Sequence, residues 1–319
     1  MKAKNLLSEN QWHQSLAKHS NVNQSIVVNI PLGDDGCVIN PQTKKLCLVK
    51  DLSVEGTHFK REWSNYAQII RKCLISNLSD LFSMGANPHS WLVGLVLTQE
   101  DLEHLVEFDK ILSSLSQEFS LTLLGGDTTK GESLVISITA LGNIEDKPFL
   151  RSNAHVGDLI YLSGKPGLSQ MGLNLLKKGE HHDDSIDYHL NPSIDLELQL
   201  ELLKLQGRVS AMDLSDGLIA CLKEISSLSG VGVLLNEKMF KYPKYTESLS
   251  HDEQLTLFLN SGEEYFSVYC LPASYALNEY LSSDRNFYQI GTVVVGNSIE
   301  MTQENGIIYT LNDNGFSHF

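Results

Sequence analysis

Short runs rich in β-branched residues alternate along this chain with longer segments of helical periodicity, and that alternation restricts it to a mixed α/β architecture. Residues 25–30, 46–49, 91–97 and 134–141 read as strands. Between them, 65–84 and 101–119 read as amphipathic helices, with Ser64 placed to cap the first and Gly85 to stop it. A second half opens near Arg151. Residues 158–163 read as a strand, followed by the glycine-punctuated turn Gly164-Lys165-Pro166-Gly167 and a helix reaching about Lys178. The polar stretch 181–185 reads as a surface loop; helices over 195–205 and 217–228 and strands over 231–235, 265–271 and 288–295 complete the pattern.

At 319 residues the chain exceeds what one hydrophobic core usually serves, so two domains are expected, 1–150 and 151–319. The formal net charge is −15, from 39 acidic and 24 basic residues, which argues against a nucleic-acid partner. No apolar run approaches the roughly 18 residues of a membrane helix, and the segment from Met1 to Leu6 lacks the apolar core of a signal peptide. The five cysteines, Cys37, Cys47, Cys73, Cys221 and Cys270, include no C-x-x-C pair, which fits a reducing cytoplasm.

The chemistry-bearing residues are aspartates beside glycines: Gly33-Asp34-Asp35-Gly36, Lys50-Asp51, Asn77-Leu78-Ser79-Asp80, Gly125-Gly126-Asp127-Thr128-Thr129 and Asp213-Leu214-Ser215-Asp216-Gly217. They are expected at strand ends, apart from Asp80 inside the first helix. There Tyr66, Ile69, Ile70, Cys73, Leu74, Leu78 and Leu81 form an apolar stripe; Asn77 falls at its middle and Asp80 at its edge. Such groups need partners, which a metal ion, a core ion pair or a capping role could supply. The glycines of 125–129 let backbone N–H groups approach an anion, or else form a β-turn. Ser215 or Asp216 could cap the following helix, which leaves Asp213 unexplained. Together the carboxylates suit magnesium ions holding a polyphosphate. No G-x-x-x-x-G-K-[ST], protein-kinase H-R-D with D-F-G, G-x-S-x-G or H-E-x-x-H motif occurs.

These residues, with Val54-Glu55-Gly56-Thr57-His58-Phe59, Met84-Gly85-Ala86, Arg151-Ser152, Gly157-Asp158, Gly262-Glu263 and the terminal Gly315-Phe316-Ser317-His318-Phe319, resemble the thiamine-monophosphate kinases. That family lies in the superfamily of aminoimidazole-ribonucleotide synthetase and selenophosphate synthetase. The resemblance runs nearly end to end. It implies a two-lobed α/β fold like that of aminoimidazole-ribonucleotide synthetase, with an N-terminal mixed sheet for metal, ATP and dimer contacts and a C-terminal α/β lobe. It implies direct transfer of the ATP γ-phosphate to thiamine monophosphate. Asp35, Asp51, Asp80, Asp127, Asp213 and Asp216 match the family's magnesium ligands; Gly126, Asp127, Arg151 and Ser215 match ATP contacts. His58, Glu263 and Phe316 match positions facing the thiamine substrate, and a homodimer joined through the N-terminal sheets is expected. No residue is assigned as a general base.

The chain departs from the family's pattern around Asp51, where hydroxyl residues give way to Val49, Lys50 and Leu52, and Lys50 introduces a positive charge. Ser261-Gly262-Glu263-Glu264 replaces the usual G-G-E-D. Three functions therefore compete: the kinase, a superfamily relative in which ATP activates an amide or carbamoyl oxygen, and a non-catalytic or altered-substrate ATP-binding paralogue.

Overall fold

The computed structural model describes residues 12, 15, 27–30, 38–40, 45–275, 277 and 286–311. Asp35 and Phe316 lie outside the described residues. The chain forms two compact units, Met1–Leu81 with Ala86–Glu145, and Phe82–Gly85 with Asp146–Phe319. Among the described residues no helix is long and apolar enough to cross a membrane.

In the first unit, β1 (Val27–Ile30) and β2 (Val38–Asn40) pair antiparallel. The larger sheet holds β3 (Leu46–Val54), β4 (Asn87–Leu97), β5 (Thr122–Lys130) and β6 (Val135–Asn143), in the order β3-β6-β4-β5. Only the β4–β5 pair is parallel; the rest are antiparallel. Helices α1 (Tyr66–Ser83) and α2 (Leu105–Glu118) follow β3 and β4 in sequence. Trp91, Val93, Leu95 and Leu97 alternate on one face of β4 and are all buried, alongside Ile136, Ile138 and Ala140 of β6. Both helices meet that face: the Trp91 indole N–H donates to Ser116 of α2 at 3.1 Å, and Ser76 of α1 donates to Asp51 of β3. The opposite face of β3 exposes Leu48 (60%) and Leu52 (54%).

The start of α1 differs by one residue from the sequence expectation. Asn65, not Ser64, is the cap: its side-chain oxygen accepts from the Gln68 N–H at 2.9 Å, and the Gln68 side chain accepts from the Asn65 N–H at 3.0 Å. Gly85 ends the helix as expected, at φ +73°, with the Phe149 ring 3.0 Å from where a Cβ would stand.

In the second unit, seven strands run in the order β13-β12-β9-β11-β7-β10-β8. They are β7 (Leu159–Leu162), β8 (Ser210–Asp213), β9 (Gly232–Asn236), β10 (Ser267–Leu271), β11 (Tyr288–Val294), β12 (Ile299–Thr302) and β13 (Ile308–Thr310). The helices are α3 (Leu168–Lys177), α4 (Asp184–Leu190), α5 (Leu196–Leu202), α6 (Leu218–Ser229) and α7 (His251–Asn260). Alternate residues of β10 feed two cores. Val268 and Cys270 join Leu218, Leu222 and Phe258; Tyr269 and Leu271 join Leu198 and Leu202. The sheet is therefore covered on both faces, which is why every residue of β10 is buried. The expected loop over 181–185 already contains a helix start, because Asp183 accepts from the Ser185 N–H at 2.9 Å and caps α4.

Each unit contains a bidentate guanidinium–carboxylate pair in which the carboxylate is buried and the arginine half-buried. Arg61 donates to both oxygens of Asp101 at 2.6 and 2.9 Å, and Asp101 also accepts from Tyr66 at 2.8 Å and from the Thr98 N–H at 2.7 Å. Burial raises the Asp101 pKa, but these bonds, Arg61's first, outweigh it and hold the carboxyl below its usual range. In the second unit Arg208 donates to both oxygens of Asp158 at 2.5 and 2.6 Å. Arg61→Met is expected to cost about 3 kcal/mol in urea unfolding, because Asp101 would keep its buried charge without the cation. The wild-type contribution, belonging to a lowered pKa, persists above the ordinary carboxylate range and is lost as pH falls through the folded value.

Candidate active site

The site residues of the first unit lie on β3, β5, α1 and the loop after β3. Strand β3 runs to Val54, past the expected end at Val49, so Asp51 stands mid-strand rather than at a strand end. Its Ser76 partner lies one helical turn before Asp80 on α1. Cys47, on the same face of β3 as Asp51, has its thiol pKa raised by burial first and by the charge of Asp80 second. Asn77 is fully buried; its side-chain N–H donates to the Cys73 carbonyl at 2.9 Å, and its Oδ1 has no partner among the described residues. Asp51 makes no ion pair among the described residues.

The ladder changes the meaning of the departures around Asp51. Side chains alternate along a strand, so Lys50 and Leu52 project from the face opposite Asp51. Lys50 donates to Ser137, which is on that opposite face, so its charge does not stand beside Asp51. Of the three unusual residues only Val49 shares a face with Asp51. Ser53, two residues on, and Ser76 keep hydroxyls on this side.

Residues Gly125–Thr129 are neither a β-turn nor a strand end. They continue β5, pairing Gly125 with Leu92, Gly126 with Val93 and Asp127 with Gly94. Glycine is required at 126 because a Cβ would lie 1.9 Å from the Val93 carbonyl oxygen. Paired residues share a face, so Asp127 lies in line with Gly94, Ser137 and Leu52, on the face away from Asp51. The Asp127 carboxylate is exposed and accepts from the Thr128 N–H at 2.8 Å.

The loop that carries His58 is tied down by its backbone. Gly56, at φ +83°, donates to the Phe59 carbonyl at 2.8 Å, and the His58 N–H donates to Val54 O at 3.0 Å. The Val54 N–H donates to His58 Nδ1 at 3.0 Å, which places the proton of the neutral ring on Nε2. Arg61 links this loop to Asp101 and, at 2.9 Å, to Glu55.

In the second unit Asp213 stands at a strand end, as expected of these aspartates, but on a strand, β8, that the sequence reading did not assign; it is buried at 4% exposure. Neither Ser215 nor Asp216 caps α6; the cap position is Gly217, at φ +99°, and no side chain bonds there. Ser215 instead offers its carbonyl to the Glu263 N–H at 2.8 Å, and a Cβ at residue 262 would lie 2.5 Å from that same oxygen. Asp213, Ser215, Asp216 and Glu263 are therefore carried by two adjoining segments. Glu263 and Tyr265 both adopt left-handed backbone, φ +54° and +55°, which side-chain-bearing residues rarely do. Arg151 is exposed, with Glu224 4.0 Å away, while its carbonyl accepts from Ser229 at 2.8 Å.

Glu264 has an internal role. Its Oε1 accepts from the N–H groups of Gly167 and Ser169, at 2.7 and 3.1 Å, and from Ser261 at 2.5 Å, so it caps α3. Its Oε2 is buried without a partner among the described residues. Burial pushes this carboxyl up to about 7, against the pull of those donors. In the sequence Glu264 stands out only as a departure from the family's pattern; the fold makes it a buried carboxyl under the Gly164–Gly167 turn. Ser76 was missed as well. Its only signal was its place four residues before Asp80.

Among the described residues no three His, Cys, Asp or Glu side chains cluster as a ready metal site. The ligand candidates fall into three groups: Asp51 and Asp80 against α1, Asp127 on the other sheet face, and Asp213 with Asp216 in the second unit.

Residues 33–144 match the model of the AIR synthase related protein N-terminal domain and residues 155–304 that of its C-terminal domain, which defines the class of fold. Thiamine-monophosphate kinase of Synechococcus elongatus is 30% identical over 303 residues, 90% of this chain and 91% of that protein. The Escherichia coli K12 enzyme of that name is 33% identical over 256 residues, 77% of each. The crystal structure of thiamine-monophosphate kinase from Stenotrophomonas maltophilia K279a superposes with a TM-score of 0.79 at 26% identity, covering 90% of this chain and 94% of that one. The structure described as AaThiL complexed with AMPPCP and TMP gives 0.75 at 25% identity, covering 90% and 91%. The chain belongs to the thiamine-monophosphate kinase family.

The raised Glu264 carboxyl sets a pH dependence. A group whose folded pKa is raised binds more protons in the folded state, so stability falls as pH climbs from the ordinary carboxylate range through about 7. Glu264→Gln should remove this slope. Urea unfolding at pH 5 and pH 8 should differ less for the variant than for wild type, by roughly 1–3 kcal/mol.

Proposed function

We propose that this protein transfers the γ-phosphate of ATP to thiamine monophosphate, giving thiamine diphosphate, with magnesium ions bound at the aspartates. The observation that carries the reading is the seam between β3 and α1. There Asp51, Ser76, Asp80 and the unpaired Oδ1 of buried Asn77 supply oxygen donors, and Asp51 has no ion-pair partner among the described residues. Hard oxygen donors of this kind fit magnesium, which binds through a few carboxylates and substrate phosphates. Bound magnesium would neutralise the charge of the polyphosphate. Because Asp51 and Asp127 project from opposite sheet faces, they suit separate ions. Asp35, Asp213 and Asp216 are assigned as further ligands from the family resemblance.

The acceptor is itself a phosphate, already ionised near neutral pH, so the reaction needs positioning and charge neutralisation rather than a base. Arg151, Ser215 and the backbone at Gly126 and Asp127 are assigned to ATP, where the exposed guanidinium of Arg151 can donate to phosphate oxygens. His58, with its proton on Nε2, and Glu263 and Phe316 are assigned to the acceptor. A homodimer joined through the four-stranded sheets is supported by the exposed Leu48 and Leu52 on the face away from α1. The four described cysteines are free and buried, in keeping with a reducing cytoplasm.

The non-catalytic reading drew on Val49, Lys50 and Leu52, and two of those three face away from Asp51. An assay with ATP, magnesium and thiamine monophosphate, with mass identification of the product, should show thiamine diphosphate. Asp80→Asn and Asp127→Asn should each lower kcat/KM by about 100-fold or more. Unchanged turnover in both would refute the metal assignment, and ATP binding without product would favour the non-catalytic reading.

A further inference from the structure

A cavity of about 300 Å³ lies wholly within the second unit, between the Gly164–Gly167 turn, the segment leading into α5, and residues 243–245. It is at the small end of ligand-site volumes, large enough for a ring or two with one substituent and too small for a nucleoside triphosphate. Its buried wall is aromatic, formed by Tyr265 and Phe266, which are 6% and 8% exposed. Consecutive residues of an extended chain point to opposite sides. Here the left-handed backbone of Tyr265, φ +55°, breaks that alternation and lets both rings line one space. The approach of Phe266 also excludes a side chain at Gly164, where a Cβ would lie 2.3 Å from the ring.

The exposed rim adds two cations and a third ring. Lys165, Lys244 and Tyr245 are all exposed, and neither lysine makes an ion pair among the described residues. The one carboxylate in the lining, Asp195, is engaged in accepting the Leu198 N–H at 3.0 Å as the cap of α5. On a chain of net charge −15, two unpaired cations beside an aromatic wall select for an anion attached to a ring.

We infer that this cavity binds a small aromatic phosphate, with the ring against Tyr265 and Phe266 and the phosphate between Lys165 and Lys244. The cavity and its rim do not depend on whether the chain turns over thiamine monophosphate. Two sources share this chemistry, the acceptor substrate and a separate effector.

Calorimetric titration of the full-length protein with phenyl phosphate, inorganic phosphate and phenol tests it directly. Phenyl phosphate should bind saturably with one site per chain, about tenfold or more tighter than either fragment. The double variant Lys165→Ala/Lys244→Ala should weaken phenyl phosphate by about tenfold or more, and Tyr245→Ala, at an exposed position, should weaken it while leaving urea unfolding unchanged. Displacement by thiamine monophosphate would assign the cavity to the acceptor, and its absence to a second ligand; both outcomes support the site. Lack of saturable binding would overturn it. So would binding that survives the lysine double variant, or that is lost in Asp127→Asn, which would place the probe at the ATP site instead.

Discussion

The two units of this protein are each organised around one bidentate arginine–aspartate pair. Arg61 and Asp101 join two stretches 40 residues apart: the loop bearing His58 with the first turn of α1 through Tyr66, and the end of β4 through Thr98. Position along α1 then decides where Ser76, Asn77 and Asp80 meet β3. Arg208 and Asp158 do the same in the second unit, tying the turn at His155 and the Asn153 carbonyl to the segment before β8. A planar fork bonded to both oxygens fixes direction as well as distance, which a single lysine contact would not.

From that frame the site chemistry follows by strand parity. Asp51 and Lys50 are neighbours in sequence and occupy opposite sides of a sheet. The helix-covered side collects carboxylate, amide and hydroxyl oxygens; the other collects Lys50, Ser137 and Asp127 around Gly94, with Leu48 and Leu52 beside them. A phosphate-handling protein with a large negative net charge needs local cations, and Lys50 supplies one on the face that also carries Asp127.

Much of this was legible beforehand. The alternation of runs gave the α/β class and most elements, and the stripe on α1 located Asn77 and Asp80 on the core side. The misses have physical causes. Strand β3 continued past Val49 because Lys50 and Leu52 face outward, so the polar alternation after the apolar run was strand, not loop. The glycines at 125–126 suggested a turn, yet they serve close strand approach at Val93 O. Strand β8 was not anticipated because Ser210-Ala211-Met212-Asp213 is short and begins and ends on polar residues; its burial between elements is tertiary. Helix α7 was missed although Ser250 and Glu253 form a capping box, a signal present in the sequence. The role of Glu264 was invisible because Gly167 and Ser169, its partners, are almost a hundred residues away.

The buried cysteines have a practical consequence. Burial raises every described thiol, Cys73 to about 11 and Cys270 to about 12, with Cys47 and Cys221 also displaced upward. Thiolate is the reactive form, so these four sulfurs stay silent toward alkylating reagents while their surroundings remain closed. Cys47 and Cys73 sit in the first unit, Cys221 and Cys270 in the second. The described thiols thus form two pairs of native clocks, and the rate at which each pair becomes labelled reports how often its own unit breathes open.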